Sequence, residues 1–363
     1  MKGLYIHIPF CEYICHYCDF VKQVPKNDDV VDKYLESLSK EIATYKEHFE
    51  TINTIYIGGG TPSMLKPYQL EVLFTAIKEI KASEITIEVN PESYSMDKGL
   101  IFKKYGINRV SLGVQSFSDE ILKFVNRKHT KDMIYYSVNN LKMLGITNIS
   151  IDLIYAIPGQ TIEMLCNDLE NVKKLNIDHV SCYSLILEDK TYFYHQFLKG
   201  EFQPVDNDIE GEMFDIVIKE LEEMGFEHYE ISNFAKNKKY SEHNKLYWTL
   251  SDYIGVGLGA HGFVDNYRTY NNKSLNKYHD KWQAVSVKQT KEDNLADELI
   301  FGLRLMEGID IKKLETKYSI VLLDKYPELK EKIKLGLVKV NNGFLQLTRQ
   351  GINFGNQVFE VFV

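Results

Sequence analysis

The 363-residue sequence predicts an α/β fold, a parallel sheet wrapped by helices, with a smaller α+β module at its C-terminal end. Two observations carry this. Between residue 2 and about 185, six short apolar runs alternate with stretches of helical period. Six successive βα repeats imply a parallel sheet with its helices outside, as a complete or an open barrel. From about residue 288 the composition turns to helical patterns of Leu, Glu and Lys, followed by two short strands around Asn341-Asn342-Gly343. Asn-Gly between apolar runs signals a hairpin.

Taken in order, the predicted strands are Leu4–Ile8, Thr54–Ile57, Ile85–Val89, Arg109–Gly113, Asn148–Leu153 and His179–Leu185. The predicted helices between them lie near 28–46, 67–80, 95–105, 118–126, 131–144 and 161–174. The second would bury Leu70, Val72, Leu73 and Ile77 on one face. These elements make a first domain over 1–190. In such folds ligands sit at the carboxyl ends of the strands. Residues 191–287 are less regular and read as an extension of the barrel. They hold an acidic helix near 207–224 with Ile209, Phe214, Ile216, Val217 and Leu221 as its stripe. A Tyr-, Asn- and His-rich segment and the glycine-rich turn Gly255–Gly262 follow. Residues 288–363 contain predicted helices at 291–305, 310–317 and 322–333 and the hairpin strands Leu337–Val340 and Phe344–Leu347, an order that resembles a winged helix. Few basic residues occupy the wing, which favours an interaction or packing domain over DNA binding.

Hydrophobic content of 44% and charged content of 26% are those of a soluble globular protein. The net charge of −8 argues against nucleic acid as a partner. No apolar run is long enough to span a bilayer, and the N-terminus lacks the order of a signal peptide. Of five cysteines, three crowd into eight residues, which is metal-site usage in a reducing compartment and points to the cytoplasm. Cys166 and Cys182 read as buried structural thiols.

The three clustered thiols, Cys11, Cys15 and Cys18, follow the first strand at C-x3-C-x2-C spacing. Thiolates brought together by one loop hold zinc or an iron–sulfur cluster. Structural zinc wants four protein ligands, and no second cysteine pair is present. A [4Fe-4S] cluster on three thiolates leaves one iron open.

This loop resembles that of the radical S-adenosylmethionine (SAM) superfamily, whose open iron binds SAM. The resemblance implies a partial (β/α)6 barrel with a [4Fe-4S] cluster and SAM as cofactors. Later motifs narrow it: Tyr5-Ile-His-Ile-Pro-Phe-Cys11, Gly58-Gly59-Gly60-Thr61-Pro62-Ser63, Leu112-Gly-Val-Gln115-Ser-Phe117 and Ile151-Asp152-Leu-Ile-Tyr-Ala-Ile-Pro158-Gly159-Gln160. They are similar to the oxygen-independent coproporphyrinogen III oxidase (HemN) group and its HemW relatives. Carried over by position, Cys11, Cys15 and Cys18 would hold the cluster. Tyr5, Tyr17, Gly59, Gly60, Thr61, Glu88, Gln115, Arg127 and Asp152 would line the SAM site, with Ile186 and His261 beside them. Tyr17 would pack near the cluster and the adenine.

Two departures separate the chain from the oxidase pattern. Phe20 stands where the oxidase has a fourth cysteine, and only four residues precede Tyr5. Both features resemble the HemW branch, described as chaperones that bind haem and pass it to haem proteins. His243-Asn244-Lys245-Leu246-Tyr247-Trp248 resembles the H-N-x-x-Y-W signature of that branch, and Gly259-Ala260-His261-Gly262 is also typical of it. Imidazole is a common haem ligand and aromatic faces suit a porphyrin, so His243, Asn244, Tyr247 and Trp248 are the haem candidates. The resemblance implies haem as cargo and acceptor haem proteins as partners, with peripheral membrane contact wherever the acceptor is membrane-bound. The alternative is an enzyme that oxidatively decarboxylates coproporphyrinogen III propionates. The cluster and SAM residues fit both, and the sequence leaves monomer and homodimer open.

Overall fold

The structure, a computed structural model, describes residues 2–363. Alternation along the first six strands decides where the core and the cavity lie. The strands are β1 (Lys2–Ile8), β2 (Ile52–Gly59), β3 (Glu84–Val89), β4 (Arg109–Gln115), β5 (Asn148–Tyr155) and β6 (His179–Ser184). One face of each is aliphatic: Leu4, Ile6 and Ile8, then Ile55 and Ile57, then Val110, Leu112 and Val114, all buried under the outer helices. Successive side chains of a strand point to opposite faces, so the other residues form the inside, and here they are polar. One register row crosses Tyr5, Tyr56, Thr86, Arg109 and Asn148. The next crosses Glu88, Ser111, Ser150 and His179, and a third Gly113, Asp152 and Ser181.

The helices that cover the outside are Asp28–Thr44, Pro67–Ile77, Met96–Lys104, Asp119–Phe124, Lys131–Met143 and Ile162–Leu175. Asn27, Ser95 and Thr161 cap three of them by accepting backbone N–H bonds from Val30, Lys98 and Met164. Two expectations about faces are corrected. Val72 is exposed and Phe74 is buried beside Leu70, Leu73 and Ile77, because 70, 73, 74 and 77 share a face at 3.6 residues per turn and 72 does not. Of the two cysteines outside the loop, Cys166 is exposed and Cys182 is buried. Leu165, Leu169 and Val172 fill the buried face of that helix, and Cys166 sits round its side.

The sheet remains open and runs past both ends of the six strands. β7 (Glu227–Glu230) pairs antiparallel with β8 (Asn233–Ala235), which itself adds antiparallel to β6. At the other edge β9 (Tyr253–Val256) pairs parallel with β1, followed by the antiparallel β10 (His261–Val264), β11 (Tyr267–Asn271) and β12 (Gln283–Lys288). β7 to β11 escaped the sequence reading because they are short and rich in Tyr, Asn, His and Gly. The acidic helix is Asn207–Glu223, with Met213, Phe214, Val217, Ile218 and Leu221 buried. Ile209 is exposed and Ile216 is half-buried, correcting the predicted stripe.

A second core, around Leu299, Leu314, Leu329, Leu345 and Val358, forms in the C-terminal segment. It contains a small sheet of β13 (Ile309–Asp310), β14 (Val338–Asn341) and β15 (Phe344–Leu347). Asn342 and Gly343 both take positive φ, as the predicted hairpin requires. The helix expected over 322–333 is two, Leu322–Lys325 and Leu329–Lys334. Pro327 between them lacks the N–H that would continue the first. No helix among the described residues is long and apolar enough to cross a membrane.

Candidate functional site

The cysteine loop is pinned from both sides. Cys11 N–H donates to Gln23 O (3.1 Å), and Gln23 N–H returns to Pro9 O (2.8 Å). His16 N–H donates to Val125 O, and the Asn126 amide donates to Ile14 O (2.7 Å). Phe20 is 66% exposed at the edge of this loop.

All three clustered thiols line one cavity of about 530 Å³ at the carboxyl ends of the strands. Cys11 accepts from Thr61 Oγ1 (3.4 Å), while the Arg127 guanidinium stands 3.7 Å from Cys15 Sγ. Burial pushes the Cys11 thiol up to about 11, and it raises Cys18 against the opposing pull of Lys22. Without a metal, burial therefore disfavours thiolate at Cys11 and Cys18. A Cβ on Gly60 would stand 2.7 Å from Phe10 O and 2.9 Å from Cys11 Sγ, so glycine is needed there. Among the described residues no three His, Cys, Asp or Glu groups converge on a single metal ion. A four-iron cluster asks less, since each thiolate takes a different iron. Three thiols around one cavity, backed by a guanidinium, fit such a cluster.

The glycine turn after β2 is shaped from behind. Gly59 has φ 113°, and a Cβ there would meet the His7 ring at 2.6 Å. That ring is fixed by Tyr5 Oη (2.9 Å) and Val21 O (2.7 Å). Tyr5 thus acts through His7 from outside the cavity lining, and His7 is a buried interior residue. Glu88 accepts from Gly59 N–H (3.1 Å) and Tyr56 Oη (2.9 Å). Burial first, and then the Asp152 charge, lifts its carboxyl to about 7. Asp152 accepts from Ser111 Oγ (3.1 Å) and is also raised by burial.

Arg127 donates to Gly113 O (2.6 Å) and Asn90 Oδ1 (2.9 Å), and its Nε has no partner. Gln115 sits at a register shift in β4 with φ 60°, and its Oε1 also lacks a partner. Both side chains line the cavity, as do Tyr17, Gly59, Gly60, Thr61, Asp152 and, with 66% exposure, Ile186. Buried polar atoms left unpaired around a cavity are atoms that a ligand can satisfy.

His261 is exposed, rests its ring against Tyr270 (4.5 Å) and lies off the cavity lining. The sequence reading missed Asn90, Ser111 and Arg109, all of which line the cavity. Strand parity could have found them: Asn90 follows Glu88 by two, and 109, 111 and 113 share a face.

The haem candidates are divided. They lie on a short helix, Glu242–Trp248, that closes the opposite end of the barrel. His243 is fully buried, with Nδ1 bonded to Thr54 Oγ1 and Nε2 to Tyr247 Oη, both at 2.9 Å. Burial, then the Arg109 charge, lowers this imidazole to about 3. Both ring nitrogens are engaged, which leaves neither free for haem iron in this arrangement. Trp248 stacks under Arg304 (4.4 Å) instead of facing the cavity, and Asn244 alone of the four lines it.

Comparison with known proteins agrees with this geometry. A profile described as "Radical SAM superfamily" matches residues 5–172, and one described as "HemN C-terminal domain" matches 289–354. A protein named "Heme chaperone HemW" from Bacillus subtilis (strain 168) is 38% identical, over 100% of this chain and 99% of that protein. The protein of that name from Escherichia coli (strain K12) is 32% identical, over 99% and 98%. Among solved structures, the coproporphyrinogen III oxidase HemN of Escherichia coli superposes with a TM-score of 0.85 at 25% identity, covering 99% of this chain and 89% of that one. With full-length identity of this order to several of its members, the chain belongs to the HemW family of the radical SAM superfamily.

Proposed function

We propose that the protein is a chaperone that binds haem and delivers it to haem proteins, on a scaffold that carries a [4Fe-4S] cluster and SAM. The observation that carries this is the end-to-end likeness to proteins named as haem chaperones. Phe20 supports it, as an exposed apolar side chain at the cavity edge where the oxidase pattern has a thiol.

In this proposal Cys11, Cys15 and Cys18 hold the cluster, and Arg127 offsets the negative charge of its thiolates. The cluster and SAM, when bound, would supply one-electron reductive chemistry at the strand ends. Gly59 and Gly60 would let backbone approach the amino-acid end of SAM, Glu88 and Asp152 would accept from its hydroxyl and ammonium groups, and Gln115 would supply an amide. Tyr17 and Ile186 give apolar surface. The partners are haem and acceptor haem proteins, and the compartment is the cytoplasm.

The superposition on the oxidase keeps decarboxylation of coproporphyrinogen III as the second reading. One experiment separates the two. Anaerobically reconstituted protein should bind haem stoichiometrically and transfer it to an apo-haemoprotein. Formation of protoporphyrinogen from coproporphyrinogen III with SAM and a reductant would overturn the chaperone-only reading.

A further inference from the structure

Arg109 is a guanidinium that the proposed cofactor site leaves unused. It opens β4, is 2% exposed and heads the fully buried side chains by size. In its register row three neighbouring side chains each keep a buried polar atom without a hydrogen-bond partner: Thr86 Oγ1, Arg109 Nε and Asn148 Oδ1. The two ion pairs with a fully buried member are His129–Glu92 and Arg304–Glu230. Arg109 joins neither, nor any other ion pair among the described residues. The Asp152 carboxylate acts on Arg109 only from beyond ion-pair distance, and orphaned interior polar groups signal a missing partner.

The position of this charge is specific. Arg109 lines the same cavity as the clustered thiols. It lies six residues before Gln115 on β4, roughly 20 Å further along the strand towards its amino end. Tyr56, Ser111 and Asn244 line the cavity with it, so the floor helix contributes an amide to the same wall. A water could bridge the orphaned atoms, but it would give the guanidinium no directly paired anion. A dianion would meet the Glu88 and Asp152 carboxyls that share the cavity. A single guanidinium in that setting suits a monoanion with two oxygens, which Arg binds bidentately.

We propose that Arg109 forms a carboxylate subsite at the deep end of the cavity, separate from the cofactor positions at the cysteine loop. The carboxylate is either a porphyrin propionate or a small free carboxylate. The first source rests on the haem-binding reading above, and the second does not.

Cluster-loaded full-length protein distinguishes them. Haem and its dimethyl ester, which lacks free carboxylates, are titrated by Soret absorbance into wild type, Arg109→Lys and Arg109→Met. Acetate is added in parallel while thermal unfolding is followed. A propionate in the subsite makes haem bind about tenfold tighter than the ester to wild type, and Arg109→Met reduces haem to the ester's affinity. Arg109→Lys falls between. A small free carboxylate instead gives equal haem and ester affinities together with an acetate-dependent rise in unfolding temperature that Arg109→Met abolishes. If wild type binds no haem yet acetate stabilises it, the chaperone reading fails and the subsite stands. Equal haem and ester affinities with no acetate effect overturn the subsite. The wild-type titrations decide this even if Arg109→Met does not fold.

Discussion

The two ends of the barrel are built from the same polar strand faces and differ in what those faces meet, a packed helix or a cavity. At the amino end Glu84 accepts the N–H groups of Glu242 and His243 (3.1 and 3.0 Å), Ser241 caps Asn244, and Thr54 and Tyr247 take both nitrogens of the His243 ring. At the carboxyl end Arg127 Nε and Gln115 Oε1 have no partner, and three thiols face open space. Polar residues inside a barrel therefore do not by themselves mark a binding site. Unpaired ones around a cavity do, and paired ones make a plug.

Three changes test that contrast, from the largest effect to the smallest. Cys15→Ala removes a thiol from the open end, and iron and sulfide per chain after anaerobic reconstitution should fall close to zero. The unfolding midpoint of the metal-free variant should stay within about 2 °C of wild type, because the Arg127 contact to that thiol is long at 3.7 Å. Full iron retention would contradict the proposed ligation. At the closed end Glu84→Ala strips two N–H groups of the floor helix of their acceptor. It should cost about 2–4 kcal/mol in urea unfolding while haem-free protein keeps its iron content. A loss below about 0.5 kcal/mol would mean the plug is held by other contacts.

The third change concerns pH. Glu88 is raised from 4.5 to about 7 in the fold. Below pH 4.5 it is neutral in both states and its contribution to stability is fully present. Between pH 4.5 and about 7 the unfolded chain ionises first, so that contribution is lost as pH rises, and it is level above that. Glu88→Gln should flatten this slope and stabilise the ligand-free protein at pH 8 by about 1–2 kcal/mol, the gain being reduced by weaker bonds to Gly59 and Tyr56. Urea midpoints from pH 4 to 8 would show an unchanged slope if burial of Glu88 were not its cause.

The open end was largely legible in the sequence, because its residues come in short local motifs at strand ends. Cys11–Cys18 and Gly58–Pro62 each carry their chemistry within a few positions, and the turn geometry follows from the glycines. The closed end was not. His243 becomes a plug only through Thr54 and Glu84, which are 189 and 159 residues away, and no local pattern announces such a pairing. The imidazole that reads as a haem candidate is, in the fold, a doubly bonded interior group. The edge strands β7 to β12 were missed for a related reason: the strands that anchor them, β8 on β6 and β9 on β1, pair with residues far back along the chain.

That distance has a bearing on the order of assembly. β1, which leads into the cysteine loop, pairs with β2 on one side and with β9 on the other, Gly3 opposite Tyr253 and Ile6 opposite Val256. As the chain leaves the ribosome, β1 can join β2 early, yet its second edge stays unpaired until some 250 further residues have been made. An open strand edge invites pairing with other chains. The window between the appearance of the three thiols and the arrival of Val256 is thus one in which the nascent protein exposes an open edge, and a strand made late shields the first one made.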